Sequence, residues 1–312
     1  MLNSKEFLFS DWKFADPSVD YAFKRIFGTE KYKDATIRLL NSLITDRKIV
    51  DVSYPNTEII GPTGSSRKSA IDVLCEDQDG AKFIVEMQNA EQSHFMERTV
   101  FYASKVISML AEPGREYDYS IPPSYVIAFI NFKLGRIEGC NVDEGQYFLH
   151  YVTREDSLKG KLPGSTEYFF LGIDDFDKNE DELETYPEKW LYLLKHSKSF
   201  SGIPVSYKAD ETFRTYFEAC ARAGFSKDEE TRYTNAMMNE WDIANSKREA
   251  CERAEAKGWA EGLAEGEAKG KTEGAAEKQS EIAKTMLHEG LAVEIICKVT
   301  GLSEKQVKDL QN

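Results

Sequence analysis

The stretch IDVLCEDQDGAKFIVEMQ, residues 71–88, decides the fold of this chain. Two apolar runs flank the tetrapeptide DQDG at 77–80, a pattern that is typical of a β-hairpin with a tight turn. Three polar residues interrupt these runs where a strand usually carries Val, Ile or Leu, namely Asp72, Glu86 and Gln88. The pattern therefore predicts a hairpin that places acids and an amide within otherwise apolar strands.

The turn of this hairpin sets which side chains meet. If the turn occupies 77–80, residues whose numbers sum to about 157 or 158 face each other, so Asp72 lies opposite or beside Glu86. Glu86 and Gln88 are two residues apart and therefore point to the same face of their strand. The sequence thus predicts that two carboxylates and an amide oxygen converge on one spot.

Two carboxylates at one spot indicate a cation. Adjacent carboxylates repel each other, more strongly as water is removed, and a divalent ion relieves this repulsion. Oxygen ligands of this kind suit Mg²⁺ or Mn²⁺, with water completing the shell. The alternative is a solvated strand face that binds nothing. Ile84 and Val85 argue against it, because neighbouring apolar residues predict burial on both faces of the strand.

The elements around the hairpin predict a mixed α/β domain. The first helix begins near ADPSVDYAFKRIF, with Asp16 as the N-cap, Pro17 in the first turn and Asp20 at the edge of the apolar stripe. Further helical patterns cover roughly 32–44, 91–111 and 178–245. Strands are predicted at roughly 55–60, 67–76, 81–88, 124–132, 146–153 and 166–173.

The composition changes after residue 240. Glycine recurs every four residues, at 258, 262, 266, 270 and 274, among Ala, Glu and Lys. Each glycine costs a helix about 1 kcal/mol relative to alanine, so the segment is either a helix that pairs closely with another or a flexible charged linker. The end of the chain predicts three short helices, which form either a helix-turn-helix or a small element for self-association. We expect three parts, namely 1–240, 241–276 and 277–312.

Composition narrows the classes of function. The net charge of −14 argues against a general nucleic-acid binder, because phosphate contacts need Lys and Arg. Residues 1–50 nevertheless carry nine Lys or Arg against seven Asp or Glu, which allows a local basic surface. Five scattered cysteines without a CxxC pair predict a reducing cytoplasm. We expect no membrane span and no signal peptide.

The order of a helix, a strand with Asp, a strand with Glu-x-Gln and a long helix resembles the PD-(D/E)XK nuclease superfamily. In more detail the chain is similar to the bacterial recombination-promoting nucleases, also described as PD-(D/E)XK nuclease-family transposases. The Gly-repeat tail is also similar to this group, so the resemblance covers most of the chain. The segments that carry it are DYAFKRIFG (20–28), SAIDVLCED (69–77), FIVEMQN (83–89), ERTVFYASK (97–105), PPSYVIAFINF (122–132) and EKWLYLLKH (188–196).

The resemblance implies a restriction-endonuclease-like core, which is a mixed β-sheet flanked by helices, with a helical C-terminal extension. It further implies a Mg²⁺- or Mn²⁺-dependent endonuclease that cleaves DNA, with Asp72 and Glu86 as metal ligands. Gln88 stands where the superfamily has a catalytic lysine, although Gln is usual in the recombination-promoting group. A neutral amide orients water but supplies no charge, so Lys82 and Lys105 are candidates to supply it.

The resemblance and the local basic residues also suggest roles for other side chains. Asp20 matches an acid of the first helix in this group and is expected to reach the cleft. Predicted phosphate contacts of the DNA are Lys24, Arg25, Arg67 and Lys68. Two alternatives remain open. One is a degenerate nuclease fold that binds DNA or a protein without cutting, and the other is a scaffold that forms homo-oligomers through the Gly-repeat tail.

Overall fold

The computed structural model describes residues 12–55, 58–59, 69–109 and 120–310. The strands are β1 Val52–Ser53, β2 Glu58–Ile59, β3 Ser69–Ala70, β4 Val73–Asp77, β5 Lys82–Gln88, β6 Ser124–Ile130, β7 Phe148–Tyr151 and β8 Thr166–Gly172. The α-helices are α1 Asp20–Phe27, α2 Lys33–Leu43, α3 Phe95–Ser108, α4 Tyr186–His196, α5 Val205–Lys208, α6 Arg214–Cys220, α7 Lys227–His288, α8 Val293–Thr300 and α9 Glu304–Asp309.

A mixed sheet lies at the centre of the first part of the chain. Within the described residues its strand order is β1-β4-β5-β6-β8-β7, with β5, β6 and β8 parallel. Helices cover it, and aromatic side chains fill the space between them, as where Phe23 of α1 meets Phe129 of β6 and Phe27 meets Trp190 of α4. A mixed sheet flanked by helices confirms the predicted fold class.

The predicted hairpin is present, and its register brings the acids together. β4 and β5 are antiparallel, with Val73 opposite Val85, which is one of the two registers that the sequence allowed. Continuing this register by one residue sets Asp72, which immediately precedes β4, against Glu86. Gly80 ends the turn with a φ of 83°, a conformation that favours glycine. The turn therefore fixes the position of Asp72 relative to Glu86.

The first helix begins later than its pattern predicts. α1 starts at Asp20 rather than at Pro17. The Asp16 carboxylate accepts the backbone N–H of Ser18 at 3.0 Å and so closes a turn of its own. The same carboxylate is buried and pairs with Lys198 at 2.7 Å. A tertiary ion pair thus takes the side chain that the sequence predicts as a helix cap.

Two other predicted segments differ from the observed strands. The segment predicted at 67–76 is divided, because β3 pairs with β2 in a separate two-stranded ribbon and β4 enters the main sheet. β1 is not predicted by the sequence pattern, since it is only two residues long. β2 lies within the strand predicted at 55–60, but residues 56, 57 and 60 of that segment lie outside the described residues. The same holds for residues 110 and 111, the end of the helix predicted at 91–111.

The chain divides into two compact units, residues 1–240 and 241–312. In the second unit the Gly repeat is helical, since α7 extends to His288. A Cβ placed on any of the five repeat glycines would meet no described atom within 4 Å outside its own helical turns. At these five glycines the face of α7 is therefore open with respect to the described residues.

The end of the second unit is a small three-helix element. Gly290 and Gly301, with φ of 76° and 75°, terminate α7 and α8. The last turns of α7 then pack with α8 and α9 around the buried residues Ala283, Ile296 and Val307. Among the described residues, no helix combines the length and the apolar character that a membrane span requires.

Candidate active site

The predicted acids and the amide lie at one place in the sheet. Glu86 and Gln88 are each 7% exposed, and Asp72 is partly buried beside them. Burial of such groups is costly unless each has a partner. The partners come from the hairpin itself, from α1 on one side and from α3 on the other. These elements together define the candidate active site.

Asp72 and Glu86 orient each other through backbone groups. The Asp72 N–H donates to Oε1 of Glu86 at 3.2 Å, and the Met87 N–H donates to Oδ2 of Asp72 at 3.0 Å. Each carboxylate is therefore tied to the strand that carries the other. Because the hairpin register fixes both ties, the two acids are preorganised before any ligand arrives.

This carboxylate pair is short of positive charge. Burial, together with the negative charge of Asp72, raises the pKa of Glu86 to about 8. Burial also raises the pKa of Asp72, against the lowering effects of the Met87 N–H and of the Lys24 ammonium. Both carboxylates therefore hold a proton more tightly than usual, and a cation that takes the place of a proton there would be bound favourably.

Lys24 of α1 is the cation that faces Asp72. Its Nζ lies 2.6 Å from Oδ1 of Asp20 and 3.7 Å from Oδ1 of Asp72. Burial alone would lower the pKa of Lys24, but its bond to Asp20 and the charges of Asp20, Asp72 and Glu86 raise it overall. Asp20 is itself exposed and reaches the site through Lys24. The lysine that the sequence suggests as a DNA contact thus lies within the acidic cluster.

Gln88 is held at both ends of its amide. Its Nε2 donates to the Ala90 carbonyl, and its Oε1 accepts from the Arg98 guanidinium of α3. Sequence reasoning missed Arg98 as a site residue, although it lies within the segment ERTVFYASK. A helical position alone does not say which neighbour a long side chain reaches.

Glu240 of α7 is a second residue that the sequence did not reveal. Its Oε1 accepts the backbone N–H of Asp20 at 2.9 Å, and its Oε2 lies 3.4 Å from Nδ2 of Asn89. Burial raises the pKa of Glu240 to about 7 despite the bond from the Asp20 N–H, and the negative charges of Asp16, Asp20 and Asp72 contribute. Glu240 therefore connects α7 with the start of α1 and the end of β5.

Other predicted cations lie elsewhere. Arg25 is 6% exposed, and its guanidinium bonds to Glu229, to the Ala219 carbonyl and to the Tyr32 hydroxyl. Its guanidinium is thus engaged within the fold, and its contact with a DNA phosphate stays a prediction. The predicted contacts Arg67 and Lys68 lie outside the residues that the structure describes.

The two lysines proposed to replace the superfamily lysine are also engaged away from Gln88. Lys82 pairs with Glu76 at the other end of the hairpin. Lys105 lies over the ring of Phe101, with Nζ 4.9 Å from the ring centroid. The cations that act on the carboxylate pair in this structure include instead Lys24 and Arg98.

The donor set fits a hard divalent cation. Within the described ranges, no group of three or more His, Cys, Asp or Glu side chains is arranged to hold a metal ion. A Mg²⁺ site needs fewer, because one or two carboxylates commonly hold it while water and substrate phosphate complete the octahedron. Asp72 and Glu86 supply two such oxygen donors, and the raised pKa of each indicates that positive charge is lacking there. These residues fit Mg²⁺ or Mn²⁺.

Two known families match the chain. Residues 17–250 match the PD-(D/E)XK nuclease family transposase, and residues 276–312 match the Rpn/YhgA-like nuclease family, C-terminal HTH domain. Fold and match together define the class as PD-(D/E)XK nucleases. Since the first match spans most of the chain, the chain belongs to the PD-(D/E)XK nuclease family transposases, which confirms the resemblance. No curated protein and no solved structure matches it.

Proposed function

We propose that this chain is a Mg²⁺- or Mn²⁺-dependent DNA endonuclease, which hydrolyses phosphodiester bonds during transposition or recombination. The observation that carries the proposal is the interlocked pair of Asp72 and Glu86, two carboxylates buried side by side with raised pKa. Such a pair destabilises the fold unless a ligand uses it, so it is expected at a functional site. Membership of a nuclease family supports the same assignment.

Asp72 and Glu86 are the residues that would hold the metal. A bound divalent ion lowers the pKa of a water molecule and neutralises charge on the scissile phosphate. The backbone N–H groups of Asp72 and Met87 keep the carboxylates oriented. Lys24 neutralises Asp72 until a metal binds, and Asp20 holds Lys24 in place as a positioning residue. Gln88 orients groups within the site through its clamped amide.

We assign residues 1–240 to the nuclease domain, 241–276 to the Gly-repeat helix and 277–312 to a helix-turn-helix that contacts DNA. The family match over the last segment supports that contact. We further propose that the open glycine face of α7 pairs with a second copy of the chain, because Trp259 beside it is 75% exposed. The five free cysteines suit a reducing cytoplasm.

A second candidate function is binding without cleavage. The clamped amide of Gln88 favours it, because both ends of the amide are already bonded within the protein and the amide carries no positive charge. The net charge of −14 favours it too, since DNA must approach an acidic protein. The two candidates differ in one respect that can be measured, namely whether the acid pair supports hydrolysis.

Plasmid cleavage by the purified chain, in Mg²⁺, Mn²⁺ or EDTA, tests the proposal. The variants Asp72→Asn and Glu86→Gln keep the size of each side chain and remove its charge. The matched control is Asp156→Asn, because Asp156 is a fully exposed acid that pairs with Lys159. We expect metal-dependent cleavage in the wild type and in the control.

Each acid variant should lose at least about 100-fold in cleavage rate while unfolding at a temperature no lower than that of the control. Cleavage that survives in both acid variants would show that another site or a contaminating nuclease is responsible. Metal binding without any cleavage in the wild type would favour the second candidate.

A further inference from the structure

The direction of the Gln88 amide is determined by its two partners. A guanidinium only donates hydrogen bonds and a carbonyl only accepts them. Arg98 must therefore face the Gln88 oxygen, and the Ala90 carbonyl must face the Gln88 nitrogen. Neither contact survives if the amide is rotated by half a turn. The orientation of the Gln88 amide on β5 therefore depends on the position of Arg98.

Arg98 is itself held firmly. A second guanidinium nitrogen donates to Gln92, and the guanidinium carbon lies 5.5 Å from the ring centroid of Phe95 and 5.8 Å from that of Tyr102. Its Nε is buried and has no acceptor among the described residues. Two aromatic faces and two amide oxygens thus hold one positive charge beside Gln88.

The guanidinium of Arg98 lies on the side of the acid pair. It bonds to Gln88, which is two residues from Glu86 and therefore on the same face of β5. The lysine at the Gln88 position in the superfamily would place its charge in the same region. In this chain the positive charge is on Arg98 of α3, and the Gln88 amide lies between that charge and β5.

We infer that Arg98 and Gln88 act as one unit, in which Arg98 supplies the positive charge and Gln88 places it, in the role that a single lysine has elsewhere in the superfamily. This inference rests on the proposed function, because the charge matters only where the acid pair holds a metal and a phosphate. Arg98 is a positioning residue for Gln88, and its charge acts at close range on the same site.

Two effects of opposite sign follow. A fixed positive charge repels a divalent cation, so Arg98 weakens metal binding at Asp72 and Glu86. The same charge, with the oriented amide, stabilises the additional negative charge that forms on a phosphate during hydrolysis. Loss of Arg98 should therefore tighten metal binding and slow cleavage, whereas mere loss of structure would weaken both.

The first experiment measures Mn²⁺ binding by calorimetry in the full chain without DNA, and cleavage separately. We expect Arg98→Gln to bind Mn²⁺ about fivefold more tightly or better and to cleave on the order of 100-fold more slowly. Arg136→Gln is the matched control, since Arg136 is an exposed arginine that pairs with Glu91. Arg98→Lys keeps the charge, so its Mn²⁺ affinity should stay near that of the wild type, and it serves if Arg98→Gln does not fold.

The second experiment restores a lysine. Gln88→Lys alone places an ammonium against the guanidinium and should reduce cleavage, because like charges repel. Gln88→Lys combined with Arg98→Gln recreates the single-lysine arrangement, and it should cleave at least about tenfold faster than either single variant. Such non-additivity would show that the two residues form one unit.

Two outcomes would overturn the inference without touching the proposed function. One is an Arg98→Gln variant whose Mn²⁺ affinity and cleavage match those of the control, and the other is a double variant that cleaves no faster than the faster of the two single variants. If instead the wild type binds Mn²⁺ and never cleaves, the proposed function fails. The Mn²⁺ affinity of Arg98→Gln then still decides whether Arg98 sets the charge of this site.

Discussion

The Glu240 carboxylate accepts the backbone N–H of Asp20 at 2.9 Å, although 220 positions separate the two residues. Asp20 is the first residue of α1, whose early N–H groups have no partner within the helix. A negative charge at this end of a helix is also favourable. Glu240 of α7 thus stabilises α1, the helix whose Lys24 faces Asp72.

Replacement of Glu240 should disturb the site more than its distance in sequence suggests. We expect Glu240→Ala to lower the free energy of unfolding by about 1–2 kcal/mol, because a helix N–H loses its acceptor. Glu240→Gln keeps an acceptor and should cost less. Chemical unfolding measures both, and Glu249→Ala, an exposed acid on the same helix, is the control. Equal stability of all three variants would contradict a bracing role for Glu240.

The metal-free protein should lose stability as the pH rises. The pKa of Glu86 is raised to about 8 and that of Glu240 to about 7, so the native state binds protons more tightly than the unfolded chain does. Their contribution is complete below the ordinary pKa of a glutamate and disappears as the pH passes 7 to 8. Each group can remove up to about 1.4 kcal/mol per pH unit in this window.

Urea unfolding in EDTA at several pH values between about 5 and 8 measures this loss. Glu86→Gln cannot release a proton and should show a shallower decline, whereas Asp156→Asn should follow the wild type. Added Mg²⁺ should restore stability at the high end of the window, because a ligand that binds only the native state stabilises it. A wild type whose stability does not change with pH would contradict the burial of these acids.

The hairpin turn should tolerate only glycine at position 80. Gly80 has a φ of 83°, so an alanine there is strained even though its Cβ would have room beside Glu76. We expect Gly80→Ala to lower the free energy of unfolding by about 1 kcal/mol or more. Gly202→Ala is the matched control, since its Cβ would meet nothing within 4 Å. An equal effect of both substitutions would mean that the turn does not constrain the register.

Arg25 and Lys24 are neighbours with different tasks. Arg25→Ala should destabilise the protein by about 1–3 kcal/mol, because the Ala219 carbonyl and the partly buried Glu229 lose their donor. Lys24→Ala should leave the fold nearly as stable and change metal affinity and cleavage. Thermal unfolding and Mn²⁺ binding separate the two, with Arg232→Ala as the exposed control. If Arg25→Ala is as stable as the wild type and binds DNA more weakly, the DNA contact that the sequence predicts for Arg25 would be supported instead.

The Gly repeat offers a test of self-association. In a lone helix, Gly262→Ala and Gly266→Ala should each add up to about 1 kcal/mol of helix stability, since both Cβ positions are open. In a close pair of helices the same methyl groups would separate the backbones. We therefore expect higher helicity by circular dichroism together with a smaller sedimentation coefficient. Unchanged size would remove the proposed role of the glycine face.

The hairpin could be read from the sequence because all of its determinants are local. A DQDG turn, alternating side chains and the two-residue spacing of Glu86 and Gln88 sufficed to pair Asp72 with Glu86. The cap at Asp16 was wrong for one local and one tertiary reason, since the Ser18 N–H closes a turn on that carboxylate and Lys198 pairs with it. Sequence patterns predict the role of a side chain correctly only where no residue distant in sequence binds that side chain.

The remaining site residues were beyond sequence reasoning for the same reason. Arg98 lies ten residues after Gln88, on a helix whose rotation against the sheet depends on packing. Glu240 appears only as one acid among many in a long helical pattern. Arg25 and Lys24 are adjacent, and which one faces the acids depends on how α1 rests against α6 and α7. Contacts between distant elements decided each of these cases.

The long separation between Asp20 and Glu240 also has a consequence in time. A ribosome that synthesises this chain has made Asp20, Asp72 and Glu86 well before it reaches residue 240. Until then the first helix lacks the carboxylate that receives its leading N–H group, and Arg25 lacks Glu229. We expect the nascent chain to hold the proposed metal ligands in an incomplete site, so that the proposed DNA-cutting activity would arise only after most of the polypeptide has left the ribosome.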